Sequence, residues 1–190
     1  TIAAAGRRGA TVVIGAHDPV ERESPLAVTL AVSTLATDAM DYAVRKAVEL
    51  GAASILPVVA ARSQGASRGD RRVEHWRKIA VAACCQCGRN RVPPIAAFGD
   101  LGSALAEAGA GATGLVLQPD APRSLVEIAE ANPGPIAIAV GPEGGFDAEE
   151  FALARRAGFQ MARLGPRVLR TETAGLAALA ALQGTVGDFA

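Results

Sequence analysis

Short apolar runs alternate with longer amphipathic stretches along most of this chain. Val28-Thr29-Leu30-Ala31-Val32, Ile55-Leu56-Pro57-Val58-Val59, Pro94-Ile95-Ala96-Ala97-Phe98, Gly114-Leu115-Val116-Leu117-Gln118 and Ile136-Ala137-Ile138-Ala139-Val140 are rich in aliphatic side chains and flanked by turn formers. Each predicts a buried strand. Between them the pattern turns helical. A helix from about Asp38 to Leu50 puts Ala43, Ala47 and Leu50 on one face and stops at Gly51; another runs from about Arg72 to Gln86 and stops at Gly88. Further helices start near Leu101 and Arg123. Asp147 is a good N-cap, with Glu150 completing a capping box, Phe151, Leu153 and Ala154 on the apolar side, and Gly158 as a stop. The last helix begins at Ala174 and is almost uncharged, which predicts burial on most faces. Alternating strands and helices at this spacing predict an α/β fold with a mostly parallel sheet flanked by helices.

Two loops stand out because each lies between an expected strand and an expected helix start. The first is Gly141-Pro142-Glu143-Gly144-Gly145-Phe146, directly after the run ending at Val140. The second is Leu164-Gly165-Pro166-Arg167-Val168-Leu169-Arg170-Thr171-Glu172-Thr173, before the final helix. Ligands of parallel sheets bind outside the carboxyl ends of the strands, where such loops lie. Neither loop has the GxGxxG or GxxxxGK[ST] spacing of a phosphate cradle. Glu143 inside the first loop suits a ligand with hydroxyl, amine or cationic groups.

Composition narrows the picture. Half of the 190 residues are hydrophobic, enough for a sizeable core, and few are aromatic, so small aliphatics must build it. No apolar run reaches the ~18 residues of a membrane span, and no basic-plus-apolar leader is visible. Three clustered cysteines, Cys84, Cys85 and Cys87, form neither a disulfide framework nor a four-ligand metal pattern, so no metal is expected. Together these features favour the cytoplasm. The chain starts at Thr1, as expected of one that begins within a longer protein or has been processed. Residues 1–25 read as weak strand and turn, with too little apolar sequence for a domain.

Net charge is zero, but its distribution is uneven. Between Arg62 and Arg91 stand eight Lys/Arg and two Asp/Glu. Such a patch is a footprint for phosphate, and Arg62 and the Gly88-Arg89-Asn90-Arg91 turn are its candidate RNA contacts. A solvated helix face beside a Ser/Gly/Arg-rich loop over residues 60–70, expected to be mobile, is the alternative reading. Trp76, spaced with Ile79 and Ala80, reads as core rather than as a base-stacking platform.

The two loops in this order, GPEGGF followed by LGPRVLRTETAGLAALAALQ, closely resemble the C-terminal signature of the RsmE family of 16S rRNA (uracil-N3) methyltransferases, of the SPOUT class. The resemblance extends through Met40, Lys46-Ala47-Val48-Glu49-Leu50-Gly51, Trp76-Arg77-Lys78-Ile79-Ala80 and Gln86-Cys87-Gly88-Arg89-Asn90-Arg91-Val92-Pro93, and so covers about residues 28–190. It implies S-adenosylmethionine as methyl donor, a C-terminal trefoil knot, a homodimer, and 16S rRNA or the small ribosomal subunit as partner. It also implies that residues 1–25 are the remnant of a PUA-like β-barrel ahead of a methyltransferase domain over residues 26–190. Matching the family's cofactor loops onto this chain assigns Leu117, Gln118 and Pro119, then Val140, Gly141, Glu143, Gly144 and Gly145, then Leu164, Gly165, Val168, Leu169 and Thr173. Arg170 is the expected electrostatic stabiliser of the uracil anion and Glu172 its orienter or proton relay, unless Glu172 caps the last helix together with Thr171 or Thr173. Three positions depart from the family pattern: Gln118 stands where a histidine is frequent, Val48 where a threonine is usual, and Cys85 where a glutamate is usual. Two other classes compete with the enzyme reading. A non-catalytic RNA-binding or ribosome-assembly module would not need the two loops, and a generic enzyme on a nucleotide-like metabolite would not need the basic patch.

Overall fold

Ile136, Ile138 and Val140 point to one side of the sheet and Ala137 and Ala139 to the other, and each set joins a different hydrophobic cluster. This alternation, with every position buried, sorts the whole molecule into layers. The computed structural model describes residues 1–17, 19–63 and 70–189. In chain order the elements are β1 (Ile2–Gly6), β2 (Gly9–Val12), β3 (Val28–Ser33), α1 (Thr37–Glu49), β4 (Ala52–Val59), α2 (Asp70–Cys87), β5 (Gly99–Asp100), α3 (Leu101–Gly109), β6 (Thr113–Leu117), α4 (Leu125–Ala131), β7 (Ile136–Val140), α5 (Ala148–Arg156), β8 (Gln160–Ala162) and α6 (Thr171–Val186).

Six strands form one parallel sheet in the order β5-β4-β3-β7-β6-β8. The larger cluster covers one face. There Met40, Val44 and Val48 of α1, Val73 and Trp76 of α2, Leu125 and Ile128 of α4, and Ala178, Leu179 and Leu182 of α6 meet Leu30, Ile136 and Ile138. On the other face Leu101, Leu105 and Ala108 of α3, Ala154 of α5 and Phe159 pack on Ala31, Val116, Ala137 and Ala139. Small residues are required on that second face: a Cβ at Gly114 would lie 2.7 Å from the Phe159 ring. The expected α/β layering is therefore present. Trp76 is fully buried, donates its indole N–H to Asp41 Oδ1 at 3.0 Å and packs against Phe98 at 5.3 Å, as its helical spacing indicated.

Two details differ from the sequence reading and one completes it. The run Pro94 to Phe98 is not a ladder strand. Only Ile95 bridges Ile55, and regular pairing resumes at β5 against Val58 and Val59, because Pro93 and Pro94 have no N–H to donate. Strand β8 is the strand expected before the second loop; at three residues it is too short to show its bounds as a pattern. Helix α6 starts at Thr171, three residues before Ala174, so Glu172 and Thr173 are helical. The loop expected over residues 60–70 lies in part outside the described residues. Among the described residues, no helix is long and apolar enough to cross a membrane.

Strands β1 and β2 pair antiparallel as a separate exposed hairpin. The segment following it is tied to the main sheet layer. Ser24 donates to Gln183 Oε1 at 2.7 Å, and Gln183, fully buried in α6, donates to the Leu50 carbonyl at 3.2 Å.

Candidate functional site

Because β6, β7 and β8 are neighbours and parallel, their following loops emerge on one edge of the sheet. The β6 loop is fixed from behind. Gln118 N–H donates to Ala162 O at 2.9 Å, and the Arg163 guanidinium donates to the carbonyls of Ala121, at 3.0 Å, and Pro122. Ser124 and Glu127 close a capping box at the start of α4.

The β7 loop makes a tight turn in which Gly145 N–H donates to Pro142 O at 2.8 Å. Gly145 has φ +67°, a conformation other residues adopt at a cost. A Cβ on Gly141 would meet the Phe146 backbone nitrogen at 3.0 Å and its ring at 3.2 Å, so any other residue there requires Phe146 to give way by a few tenths of an ångström. Phe146 is buried beside Phe151, edge to face at 6.0 Å. Asp147 and Glu150 form the expected capping box of α5.

The β8 loop turns at Gly165, φ +99°, and ends at Arg170, the N-cap of α6, which makes no side-chain capping bond. Thr171, 4% exposed, donates its hydroxyl to the Gly141 carbonyl at 2.9 Å.

These loops enclose a cavity of about 470 Å³, within the range of small-molecule sites. Leu117, Gln118 and Pro119 line it from the first loop, Val140, Gly141, Glu143 and Gly145 from the second, and Leu164, Gly165, Val168, Leu169 and Arg170 from the third. Of the residues assigned from sequence to the cofactor loops, only Gly144 and Thr173 are not on its wall. Glu172 is not on it either; it sits in the first turn of α6, where a negative charge complements the helix dipole. The wall also contains Pro142, Phe146, Arg167 and Thr171, which lie within the two loops singled out from sequence, and Phe151 and Ala174, which lie beyond them. Phe151 and Ala174 are helix residues whose core spacing hid them. Thr171 sat inside the motif, one residue past the arginine that drew attention.

The wall is mainly apolar, with backbone polar groups from the strand ends, a carboxylate at Glu143 and guanidinium groups at Arg167 and Arg170. Among the described residues, no Ser, Cys, His or Lys side chain lines it. The site is therefore built to bind and orient, with charge of both signs at its rim.

The candidate RNA residues are dispersed. Arg62 donates to the Gly144 carbonyl at 2.8 Å, next to the cavity. Arg89 is turned inward. Its side chain is 7% exposed and meets Glu23 Oε2 through Nε at 2.9 Å and an Nη at 2.5 Å, while its other Nη donates to Val48 O and Ala52 O. That placement corrects the expectation of a phosphate contact there, since the guanidinium is occupied holding the 20–26 segment to the ends of α1 and α2. Burial raises the Glu23 carboxyl, but the hydrogen bonds from Arg89 and the Arg91 N–H, with both positive charges, win and hold it below the usual carboxylate range. Asn90 donates to Val20 O at 2.9 Å. Arg91 remains 78% exposed, with a 3.5 Å contact to Glu21. Cys84 is buried, which raises its thiol pKa, Cys85 is exposed, and among the described residues no group of His, Cys, Asp and Glu is arranged to hold a metal.

Comparison with known proteins fits this geometry. Residues 22–183 match the RNA methyltransferase domain family. The chain is 32% identical over 88% of its length to the ribosomal RNA small subunit methyltransferase E of Buchnera aphidicola, and 36% identical over 82% to that of Mycobacterium bovis. It spans 67% and 62% of those relatives' own lengths. A crystal structure of the same enzyme from Neisseria gonorrhoeae, bound to S-adenosyl methionine, superposes with a TM-score of 0.82 at 40% identity, covering 91% of this chain and 72% of that one.

Proposed function

The chain belongs to the RsmE family of ribosomal RNA small subunit methyltransferases, and on that premise we propose that it transfers a methyl group from S-adenosylmethionine to N3 of a uracil in small-subunit (16S) ribosomal RNA. The observation that carries this reading is the cavity closed by the three strand-end loops. Its residues fit the donor. Leu117, Leu164, Val168 and Leu169 offer an apolar slot for adenine, the glycines let ligand atoms approach the backbone, and Glu143 at the rim complements an amine or sulfonium. A relative with 40% identity is crystallised with this molecule bound.

S-adenosylmethionine, when bound, supplies a methyl group made electrophilic by its sulfonium. The chain's residues must then deal with uracil N3, whose N–H is a weak acid. Arg170 lines the cavity at its mouth and is exposed. Its planar fork matches the anion that spreads over O2, N3 and O4 as the proton leaves, and it stabilises that charge electrostatically. Glu172, two residues on, orients Arg170 or relays the proton. RNA is held by exposed basic groups, Arg91 and those of α2 such as Arg71 and Lys78, through phosphate contacts.

The same reading includes a trefoil knot formed by the cofactor loops, a homodimer, a cytoplasmic location beside the ribosome, and an N-terminal stretch, residues 1–25, that is the remnant of a PUA-like barrel ahead of the methyltransferase domain at residues 26–190. Calorimetry with S-adenosylmethionine tests the premise: binding at one site per chain supports it, and no heat from a folded sample overturns it. Light scattering tests the dimer.

A further inference from the structure

The turn after β4 rests on the cofactor loop at three points. Arg62 donates through Nη1 to the Gly144 carbonyl at 2.8 Å, and its aliphatic stem crosses Gly144 so closely that a Cβ there would lie 3.2 Å from Arg62 Cδ. Ala61 N–H donates to Glu150 Oε1 at 2.8 Å. The other oxygen of the same carboxylate accepts from Asp147 N–H at 2.9 Å in the α5 capping box. The turn itself is closed locally, with Ala60 N–H donating to Ser63 Oγ at 3.0 Å and Ser63 N–H to Ala60 O at 3.1 Å. Glu150 thus braces two loops with one side chain, and Arg62 adds a charge-assisted bond to the carbonyl between two residues, Glu143 and Gly145, that line the cavity.

We propose that Arg62 is a positioning residue for the methyl-donor loop: by holding the Gly144 carbonyl it sets the Glu143–Gly145 rim in its ligand-binding shape, rather than serving chiefly as a phosphate contact. The physical reason lies in the loop. Residues 143–145 are exposed or half-exposed, and two of them are glycines, so the free loop has many conformations to lose on binding. A bond from outside the loop removes some of that freedom before ligand arrives, which raises affinity without touching the ligand. Arg62 also stands at the start of the basic segment. A residue at that junction fixes the donor loop relative to the surface that would carry RNA.

The proposal rests on the S-adenosylmethionine reading, and one experiment separates the two. Binding of S-adenosylmethionine is measured by calorimetry for the wild-type chain, Arg62→Met, which keeps the stem but loses the donor, and Arg62→Lys, which keeps one donor. In parallel, RNA affinity is measured against salt with a small-subunit RNA fragment. Losing one charge-assisted hydrogen bond that orders the loop should weaken S-adenosylmethionine binding about tenfold in R62M, with partial recovery in R62K and a KM effect larger than the kcat effect in turnover. Where R62M lowers the thermal midpoint, R62K carries the comparison. If R62M binds S-adenosylmethionine like wild type while its RNA salt slope falls by about one, Arg62 is a phosphate contact and the proposal is overturned. A folded wild-type chain that binds no S-adenosylmethionine overturns the functional reading itself.

Discussion

The Thr171 hydroxyl donates to the carbonyl of Gly141 across 2.9 Å, linking the first turn of α6 to the end of β7. The two residues are 30 apart in sequence, and both line the cavity. The bond holds together the two loops that resembled a family signature. Thr171→Val keeps the shape and removes the donor to a half-buried carbonyl. Stability should fall by about 0.5–1.5 kcal/mol, and S-adenosylmethionine should bind more weakly. Thr171→Ser should recover most of both. Denaturant unfolding and calorimetry on the three proteins check this.

Arg89 and Glu23 form a largely enclosed ion pair, so removing one partner strands the other. Arg89→Ala should destabilise the chain by about 3 kcal/mol, the low end for a buried pair because Glu23 retains some exposure. The Glu23 carboxyl lies below its ordinary range when folded. Its contribution is therefore present at neutral pH, above the unfolded-state value, and is lost as pH falls through the folded one. Stability measured from pH 7 down to about 3 should drop less steeply in Glu23→Gln than in wild type.

Much of this was legible in the sequence. The run Ile136 to Val140 and the Asp147–Glu150 capping box appear as read, because a short continuous apolar run and capping chemistry are local signals. Nearly all the cofactor-loop residues converge because parallel strands put successive loops on one edge. Arg89 could not be read correctly. Its partner Glu23 is 66 residues away in a segment that looked like a polar connector, and a charge patch says nothing about which arginine turns inward. Strand β8 was expected before the second loop, but its bounds were not legible, since three residues carry no period and the pairing with β6 defines them.

Arg170 lines the cavity and makes no side-chain capping bond on α6, so its replacement should affect chemistry more than folding. Arg170→Ala should slow methyl transfer by about 10²–10³-fold, the size of a lost electrostatic stabiliser, with only a small change in S-adenosylmethionine affinity. Single-turnover rates and calorimetry on the same variant separate the two effects.

Arg91 is exposed where Arg89 is not. Arg91→Ala should leave stability unchanged and lower the slope of RNA affinity against salt by about one. Filter binding at several salt concentrations, together with a thermal melt, distinguishes it from Arg89→Ala.

The most direct measurement is methyl transfer itself. The chain is incubated with small ribosomal subunits and isotopically labelled S-adenosylmethionine, and the RNA nucleosides are resolved by mass spectrometry. The account predicts label on a uridine base at N3, and about 10²–10³-fold slower labelling with the Arg170→Ala variant. Label on ribose hydroxyls or on another base, or no label from a chain that binds S-adenosylmethionine, would contradict it.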